Sequence, residues 1–371
     1  MSRLLHHANT ISDHSSFLPE IFNLNIAEDK KRVLHLLNNG VKIIDTIHSQ
    51  IEELIKIKNA AKRLPEEEMQ QKVAEILHGE DPDNFGNWVY YPWSNKLVHV
   101  LSEEDFIAVR TNRNMYKITP EEITALRSKK IAIIGLSVGQ SIAQTIATER
   151  ICGELRLADF DTLELGNLNR LSAGVQDLGT PKVVIAARKI AEIDPYIKVK
   201  CYAEGVTENN IDSFLSDGGK ADILIEECDS LVVKIISRIK ARQLGIPVVM
   251  ETNDKGMLDV ERFDLEPGRA IFHGRVKGID DVPFEDATAL LKKLTIEEKF
   301  GYLSKIVEFE NTSEEMKLSL SQINKTIISW PQLASAVSLG AAIVTDVCRR
   351  IFLGKFTKSG RYFVHFDELI K

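Results

Sequence analysis

Between residues 159 and 229 the chain sets Asp159 and Asp161, then Asn167 and Arg170, then Lys182, and last Asp229. Arg and Lys side chains bring the charge and the donors that a polyphosphate needs. A carboxylate on the same edge is the ligand that Mg²⁺ takes together with phosphate oxygens. This set of residue types therefore points to a triphosphate and its metal. The competing chemistry is hydride transfer. An acid such as Asp159, at the end of a second strand, accepts hydrogen bonds from the ribose hydroxyls of a dinucleotide. An NAD(P)-binding oxidoreductase would use Asp159 but leaves Arg170 and Lys182 without a task.

The stretch before Asp159 reads "KKIAIIGLSVGQSIAQTIATERICGELRLAD", Lys129 to Asp159. An apolar run, Ile131 to Ile134, meets Gly135, a helix-like stretch follows, and an acid closes the next strand. A GxGxxG loop would need glycine at 135, 137 and 140, and the chain has Gly135, Ser137 and Gln140 with a further Gly139. Side chains at 137, 138 and 140 oppose the close approach of a pyrophosphate to a helix N-terminus. Gly135 and Gly139 keep the turn tight enough for one set of phosphates.

The elements that must hold these residues alternate. Strand-like runs are Ile131–Gly135, Leu155–Asp159, Ile197–Tyr202, Asp222–Glu226 and Val248–Glu251, and helix-like runs lie between them: Val138–Thr148, Lys182–Glu192, Glu208–Leu215 and Leu231–Leu244. The order implies an α/β fold, a Rossmann-like and mostly parallel sheet with helices on both faces. It also puts Asp229 at the carboxyl edge of the fourth strand, where ligands of open α/β sheets bind. Beyond it, "GMLDVERFDLEPG" predicts a strand of different character. Asp281 to Ser321 is helix-prone and reads as a crossover or cap. A helix spans about Pro331 to Leu353, and "GRYFVHF" closes as a strand.

Residues 1–115 read as a separate, mainly helical or mixed accessory region, ahead of a main domain over 116–371 with a helical insertion near 281–321. Apolar residues recur at three- and four-residue steps from Val33 to Leu54, which predicts one helix across Asn25–Ala60. Glu66–Leu77 predicts another. "WVYYPWSNKLVHVL" is rich in strand formers, and its aromatic cluster of Trp88, Tyr90, Tyr91 and Trp93 is expected to pack against the next domain.

Bulk properties narrow the setting. At 371 residues with 44% hydrophobic content, the chain can bury a full α/β core and carry an extra region. A net charge of −7 disfavours a nucleic-acid binder. The four cysteines, Cys152, Cys201, Cys228 and Cys348, form no CxxC pair, so a disulfide framework or zinc site is not expected and a reducing, cytoplasmic setting fits. The N-terminus lacks a signal-peptide core. The longest soft apolar stretch, Leu333–Val347, contains Ser, Gly and Asp and is too short to span a bilayer. His6, His7, His14 and His273 form no metal constellation, and His273 reads as a surface residue.

On "LADFDTLELGNLNRL", "GTPK" and "DILIEECD", the sequence resembles the ThiF/MoeB/HesA superfamily of adenylating enzymes, relatives of ubiquitin-activating enzyme. "RTNRNMYKIT" is similar to the family's segment before the first strand, and "PQLASAVSLGAAIVTDVCRRIFLG" to its dimer-forming helix. The resemblance implies a homodimer that binds ATP and Mg²⁺. It also implies attack of a carboxylate, such as a protein or peptide C-terminus, on the α-phosphate of ATP. By the same resemblance Asp159 would hold the ribose, Asn167, Arg170 and Lys182 the phosphates, and Asp229 the Mg²⁺. Gly135, Gly139 and Asp161 would complete the nucleotide site, and Arg113 would reach the γ-phosphate from the partner subunit.

The chain departs from the family at the glycine loop, at Leu171 in place of Gln, and in lacking the CxxC zinc pairs, where it reads "DLEPGRAIFHGR". No cysteine lies where a thioester-forming nucleophile is expected. A non-catalytic dimeric scaffold thus stays open as an alternative. So do plain structural roles: Asp161 and Asn167 as turn caps, and Asp229 as the cap of the helix after Ser230.

Overall fold

A computed structural model describes residues 16–280 and 282–370; His6, His7 and His14, and position 281, lie outside them. Two compact units divide the chain, one of residues up to Glu121 with Asp194–Tyr196, the other of 122–193 and from Ile197 onward.

In the first unit the apolar period across Asn25–Ala60 does not make one helix. After strand β1 (Glu20–Phe22), helix α1 runs only over Ala27–Asn38, strand β2 occupies Lys42–Asp45, and α2 begins at Ile47 and ends at Lys58. Gly40, at φ +74°, takes a left-handed conformation that a right-handed helix does not continue through. The spacing survives because Val41 and Ile47, on either side of the short strand, are both buried, each in its own apolar cluster. Helix α3 (Glu66–Leu77), strands β3 (Asn87–Tyr91) and β4 (Lys96–Val100) and helix α4 (Glu103–Thr111) follow. The sheet order is β1-β3-β4-β2, so this unit is mixed α/β rather than mainly helical. Trp88 also departs from expectation. It packs with Phe22, Val33 and Leu97 in the core of its own unit, and its ring stacks on His99 at 4.1 Å.

Helix α5 (Pro120–Arg127) precedes the alternating strands and helices: β5 (Lys130–Ile134), α6 (Gly139–Glu149), β6 (Glu154–Ala158), α7 (Lys182–Ile193), β7 (Lys198–Tyr202), α8 (Ile211–Ser216), β8 (Ile223–Glu226), α9 (Leu231–Leu244) and β9 (Val248–Thr252). All five strands pair in parallel. They read as apolar runs because both faces are covered; Ile131–Ile134 and Ile223–Ile225 are buried throughout. Strand β10 (Met257–Glu261) turns back antiparallel on β9.

Three helices follow: α10 (Phe284–Lys293), α11 (Ile296–Ile306) and α12 (Glu314–Gln322). The long helix α13 (Ala334–Phe352) packs on α6, and β11 (Gly360–Phe363) adds antiparallel to β10 before a last turn of helix, α14 (Phe366–Leu369). The sheet order is β11-β10-β9-β8-β5-β6-β7. The chain winds outward from β5 in one direction through β6 and β7, then returns to β8 on the other side. The crevice between the carboxyl ends of β5 and β8 is therefore the switch point of the sheet. Among the described residues no helix is long and apolar enough to cross a membrane.

Candidate functional site

The site grows from the ends of β5 and β8. Gly135 stops β5 with φ +85°, and a Cβ there would lie 2.7 Å from the carbonyl oxygen of Glu227. The Glu227 N–H donates to the Ile134 carbonyl at 2.8 Å, so the two strand ends are pinned together. Gly135→Ala is expected to destabilise the protein by roughly 2–3 kcal/mol, from the left-handed backbone plus the clash. The check is the midpoint of urea unfolding, and an unchanged midpoint would contradict this account of the loop. Gly139 opens α6, and a Cβ on it would press within 2.8 Å of Ile133 Cγ2, so the helix start rests on β5.

Asp159, just past β6, is buried at 8% exposure. One carboxylate oxygen accepts the Leu136 N–H at 2.6 Å and the other the Asp161 N–H at 2.8 Å. Burial pushes its carboxyl up, and these two donors and the nearby Lys182 charge oppose the shift. The acid thereby shapes the loop after β5.

Lys182 opens α7 with its side chain only 8% exposed and its ammonium 2.8 Å from Asp161 Oδ2. A cation in a first helical turn opposes the helix dipole, and the Asp161 carboxylate offsets that penalty. The pairing is built by the backbone. The Lys182 N–H donates to the Asp161 carbonyl at 2.9 Å, and Leu163 exchanges hydrogen bonds with Thr180 and Gly179.

Arg170 follows a short turn, Leu165–Asn169. Its guanidinium donates to Ser137 Oγ through Nη2 at 2.6 Å and Nε at 3.2 Å, and to Asn169 Oδ1 at 2.9 Å. Ser137 stands where the dinucleotide motif has glycine. Here it orients the arginine. Leu171 is buried with Leu163 and Ile185, which anchors the turn and explains an apolar residue at that position. Asn167 turns its amide oxygen to the Glu164 N–H at 3.0 Å and caps its own turn.

Asp229 lies exposed between β8 and α9, with Lys234, Glu226, Arg170 and Lys182 as its electrostatic neighbours. Partial desolvation, with the Glu226 charge, raises its carboxyl against the lowering pull of Lys234, Arg170 and Lys182. It does not cap α9. Ser230 does, accepting the Val233 N–H on its Oγ at 3.4 Å. The fold thus gathers Asp159, Asp161, Arg170, Lys182 and Asp229 at the carboxyl edge of the sheet, beside an α6 N-terminus that has no side-chain cap. Arg113 belongs to the first unit, exposed on the turn Asn112–Asn114.

Sequence reasoning missed a buried ionic group beneath this edge. Glu226, fully buried at the end of β8, accepts from Lys234 Nζ at 3.1 and 3.2 Å and from Arg238 Nη1 at 2.5 Å. Arg238 also reaches Glu261 at 2.8 Å and lies over the Phe272 ring. The signal was available: acids inside the apolar run "ADILIEEC", and two cations one helical turn apart on the face of α9 turned to it.

His273 is not a surface residue. Phe272 and His273 both take positive φ, which turns the imidazole inward, where Nε2 donates to Asp259 at 3.0 Å and Nδ1 accepts from Arg269 at 2.6 Å. Asp259 also receives Arg361 at 2.6 Å, so ion pairs tie down residues 259–273. Among the described residues no group of three or more His, Cys, Asp or Glu could hold a metal ion.

A model of the ThiF family matches residues 110–256. An uncharacterized protein of Mycobacterium tuberculosis (strain CDC 1551 / Oshkosh) is 44% identical over 292 residues, 78% of this chain and 39% of that protein. Ubiquitin-like modifier-activating enzyme 5 of Drosophila grimshawi is 30% identical over 133 residues, 36% of this chain and 33% of the enzyme. The tRNA threonylcarbamoyladenosine dehydratase of Bacillus subtilis (strain 168) is 28% identical over 156 residues, 42% and 60% of the two chains. The chain therefore spans less than two thirds of the length of these relatives.

Proposed function

We propose that this chain, which carries a ThiF-family domain over residues 110–256, activates a carboxylate by adenylation. The carboxylate attacks the α-phosphate of ATP, and an acyl-adenylate and pyrophosphate result. The observation that carries this reading is the pair of positioned cations, Arg170 on Ser137 and Lys182 on Asp161, beside Asp229 at the switch point. A dinucleotide site would employ at most one such cation, on the 2′-phosphate of NADP, and leaves the pair unexplained.

In this reading Asp159 receives the ribose, while Arg170, Lys182 and the α6 N-terminus take the phosphates. Asp229 suits Mg²⁺, which binds through one or two carboxylates plus phosphate oxygens and needs no protein cage. Its exposed position beside Arg170 and Lys182 fits that use. The metal would spread charge on the phosphates. The chain's own residues align them and stabilise the charge that develops as the leaving group departs. The carboxylate is a peptide or protein C-terminus, in keeping with the modifier-activating relatives. A homodimer through α13, with Arg113 of one copy serving the nucleotide of the other, completes the proposal. Residues 1–115 form an accessory region to the adenylating domain of 116–371, and the setting is the cytoplasm.

Transfer from the adenylate goes directly to the acceptor without a protein thioester. Burial pushes the Cys201 thiol up to about 12 and raises those of Cys228 and Cys348 as well, so thiolate is scarce at neutral pH. Intact-protein mass spectrometry during turnover is expected to detect no hydroxylamine-labile acyl adduct; such an adduct would overturn this step. Adenylation itself is tested by pyrophosphate–ATP exchange with peptides of varied C-terminal residue. Exchange that requires a free carboxylate and is lost with the C-terminal amide supports it. Release of ADP and phosphate instead would refute it.

A further inference from the structure

Beside the nucleotide edge, under helices α11 and α12, lies a cavity of about 180 Å³. Val138, where α6 begins, and Asp229 form part of its wall, so the cavity continues the proposed nucleotide site. A second tie runs through Asn169. Gln332 lines the cavity, and its carbonyl accepts the Asn169 side-chain N–H at 2.8 Å, while Asn169 Oδ1 accepts from Arg170 at 2.9 Å. One side chain thus joins the cavity wall to the arginine of the nucleotide site.

The roof is of a different character. Phe300, Leu303, Val307, Met316, Leu320 and Trp330 line it. Phe300 and Trp330 remain 51% and 40% exposed, which is apolar surface that a ligand would cover. The roof is held in place: Asp254 accepts the Ser313 N–H at 2.8 Å and hydroxyl at 2.6 Å, which fastens the start of α12. Charged groups on the floor are committed. Lys234 is held by Glu226 at 3.1 Å, Glu227 Oε1 accepts the Glu251 N–H at 3.0 Å, and the Glu251 oxygens are sealed against Gly340 of α13. An apolar void of about 150 Å³ admits benzene, so this one has room for a large apolar side chain.

We propose that this cavity receives the side chain of the residue whose carboxylate is activated, so that the substrate chain ends in a large apolar residue such as leucine, methionine or phenylalanine. The inference rests on the adenylation reading and adds the class of its substrate. Only the Cα atom separates a C-terminal carboxylate from its own side chain. Seating that side chain under α11 and α12 therefore fixes the direction of the carboxylate, as in-line attack requires. A glycine would leave the cavity empty and its carboxylate free to turn. An aspartate would bring a charge into an apolar enclosure with no cation to meet it.

The test is pyrophosphate–ATP exchange by the full chain with one peptide ended in turn by Gly, Ala, Leu, Phe, Asp or Lys. A single methylene in an apolar pocket changes kcat/KM by about 10–200-fold, so the Leu or Phe peptide is expected to exceed the Gly peptide by at least about 10²-fold. The Asp and Lys peptides should do no better than Gly. Leu303→Trp, which fills the cavity from the roof, should cut the Leu-to-Gly ratio at least about tenfold. Met316→Ala, which enlarges the cavity, should move the preference from Leu toward Phe. Stabilisation by Mg-ATP in both variants shows that fold and nucleotide site survive. Equal rates across the series, the highest rate with Gly, Asp or Lys, or ratios unmoved in both variants would each overturn the inference and leave adenylation standing. Exchange with no peptide at all would refute the adenylation reading and this inference with it.

Discussion

Lys182→Ala is expected to lower pyrophosphate–ATP exchange by about 10²–10³-fold, the usual loss when one preorganised donor to developing charge is removed. The residue suits a test because its ammonium is nearly buried and locked at 2.8 Å on Asp161, and a locked charge costs no reorganisation when the phosphates need it. A flexible surface lysine would not behave this way. Lys182→Arg should recover little, since the planar guanidinium cannot occupy a pocket shaped for a compact ammonium. The stability of the Ala variant should change far less than its rate, because the abandoned partner, Asp161, is half exposed and can be hydrated. Equal exchange rates for wild type and Lys182→Ala would remove Lys182 from the proposed chemistry.

Glu226→Gln should cost about 3–5 kcal/mol of stability. The substitution leaves Lys234 and the fully buried Arg238 with Glu261 as the remaining carboxylate on that arginine, and a buried cation stripped of its partner is among the most destabilising changes. The pH dependence has a defined sign. Burial alone would raise the Glu226 carboxyl, but Lys234 and Arg238 outweigh it and hold the group below the ordinary range. Its contribution is thus fully present above the unfolded glutamate value and is lost as pH falls through the lower, folded one. Wild type should lose stability in that acidic window, and Glu226→Gln should be flatter there. Denaturant midpoints measured across the window supply the check. A variant as stable as wild type at neutral pH would contradict the ionic account of this edge.

Much of the second unit was legible because its signals are local. Apolar runs covered on both faces name the strands, and the order of strands and helices fixes a parallel sheet. Arg170, Lys182 and Asp229 stood out only as members of one pattern, "LADFDTLELGNLNRL", "GTPK" and "DILIEECD"; singly, each also reads as an ion pair, a first-turn lysine or a helix cap. The first unit was harder to read. A short strand between two helices kept the three-to-four-residue spacing from Val33 to Leu54 intact, so periodicity alone could not reveal β2. Ser137 looked like damage to a glycine motif because its value lies in a partner, Arg170, that only the fold brings near. His273 was missed for the same reason: what matters about it is burial and orientation, and neither is written in local sequence.

The proposed function makes the edge formed by residues 135–229 a Mg-ATP site. Thermal unfolding of the full-length protein with Mg-ATP, NAD or NADP tests it most directly. A ligand at about one hundred times its dissociation constant adds about 2.7 kcal/mol. Mg-ATP is expected to raise the unfolding temperature and the dinucleotides to leave it unchanged. A shift with NAD or NADP, or none with any nucleotide, would contradict the account.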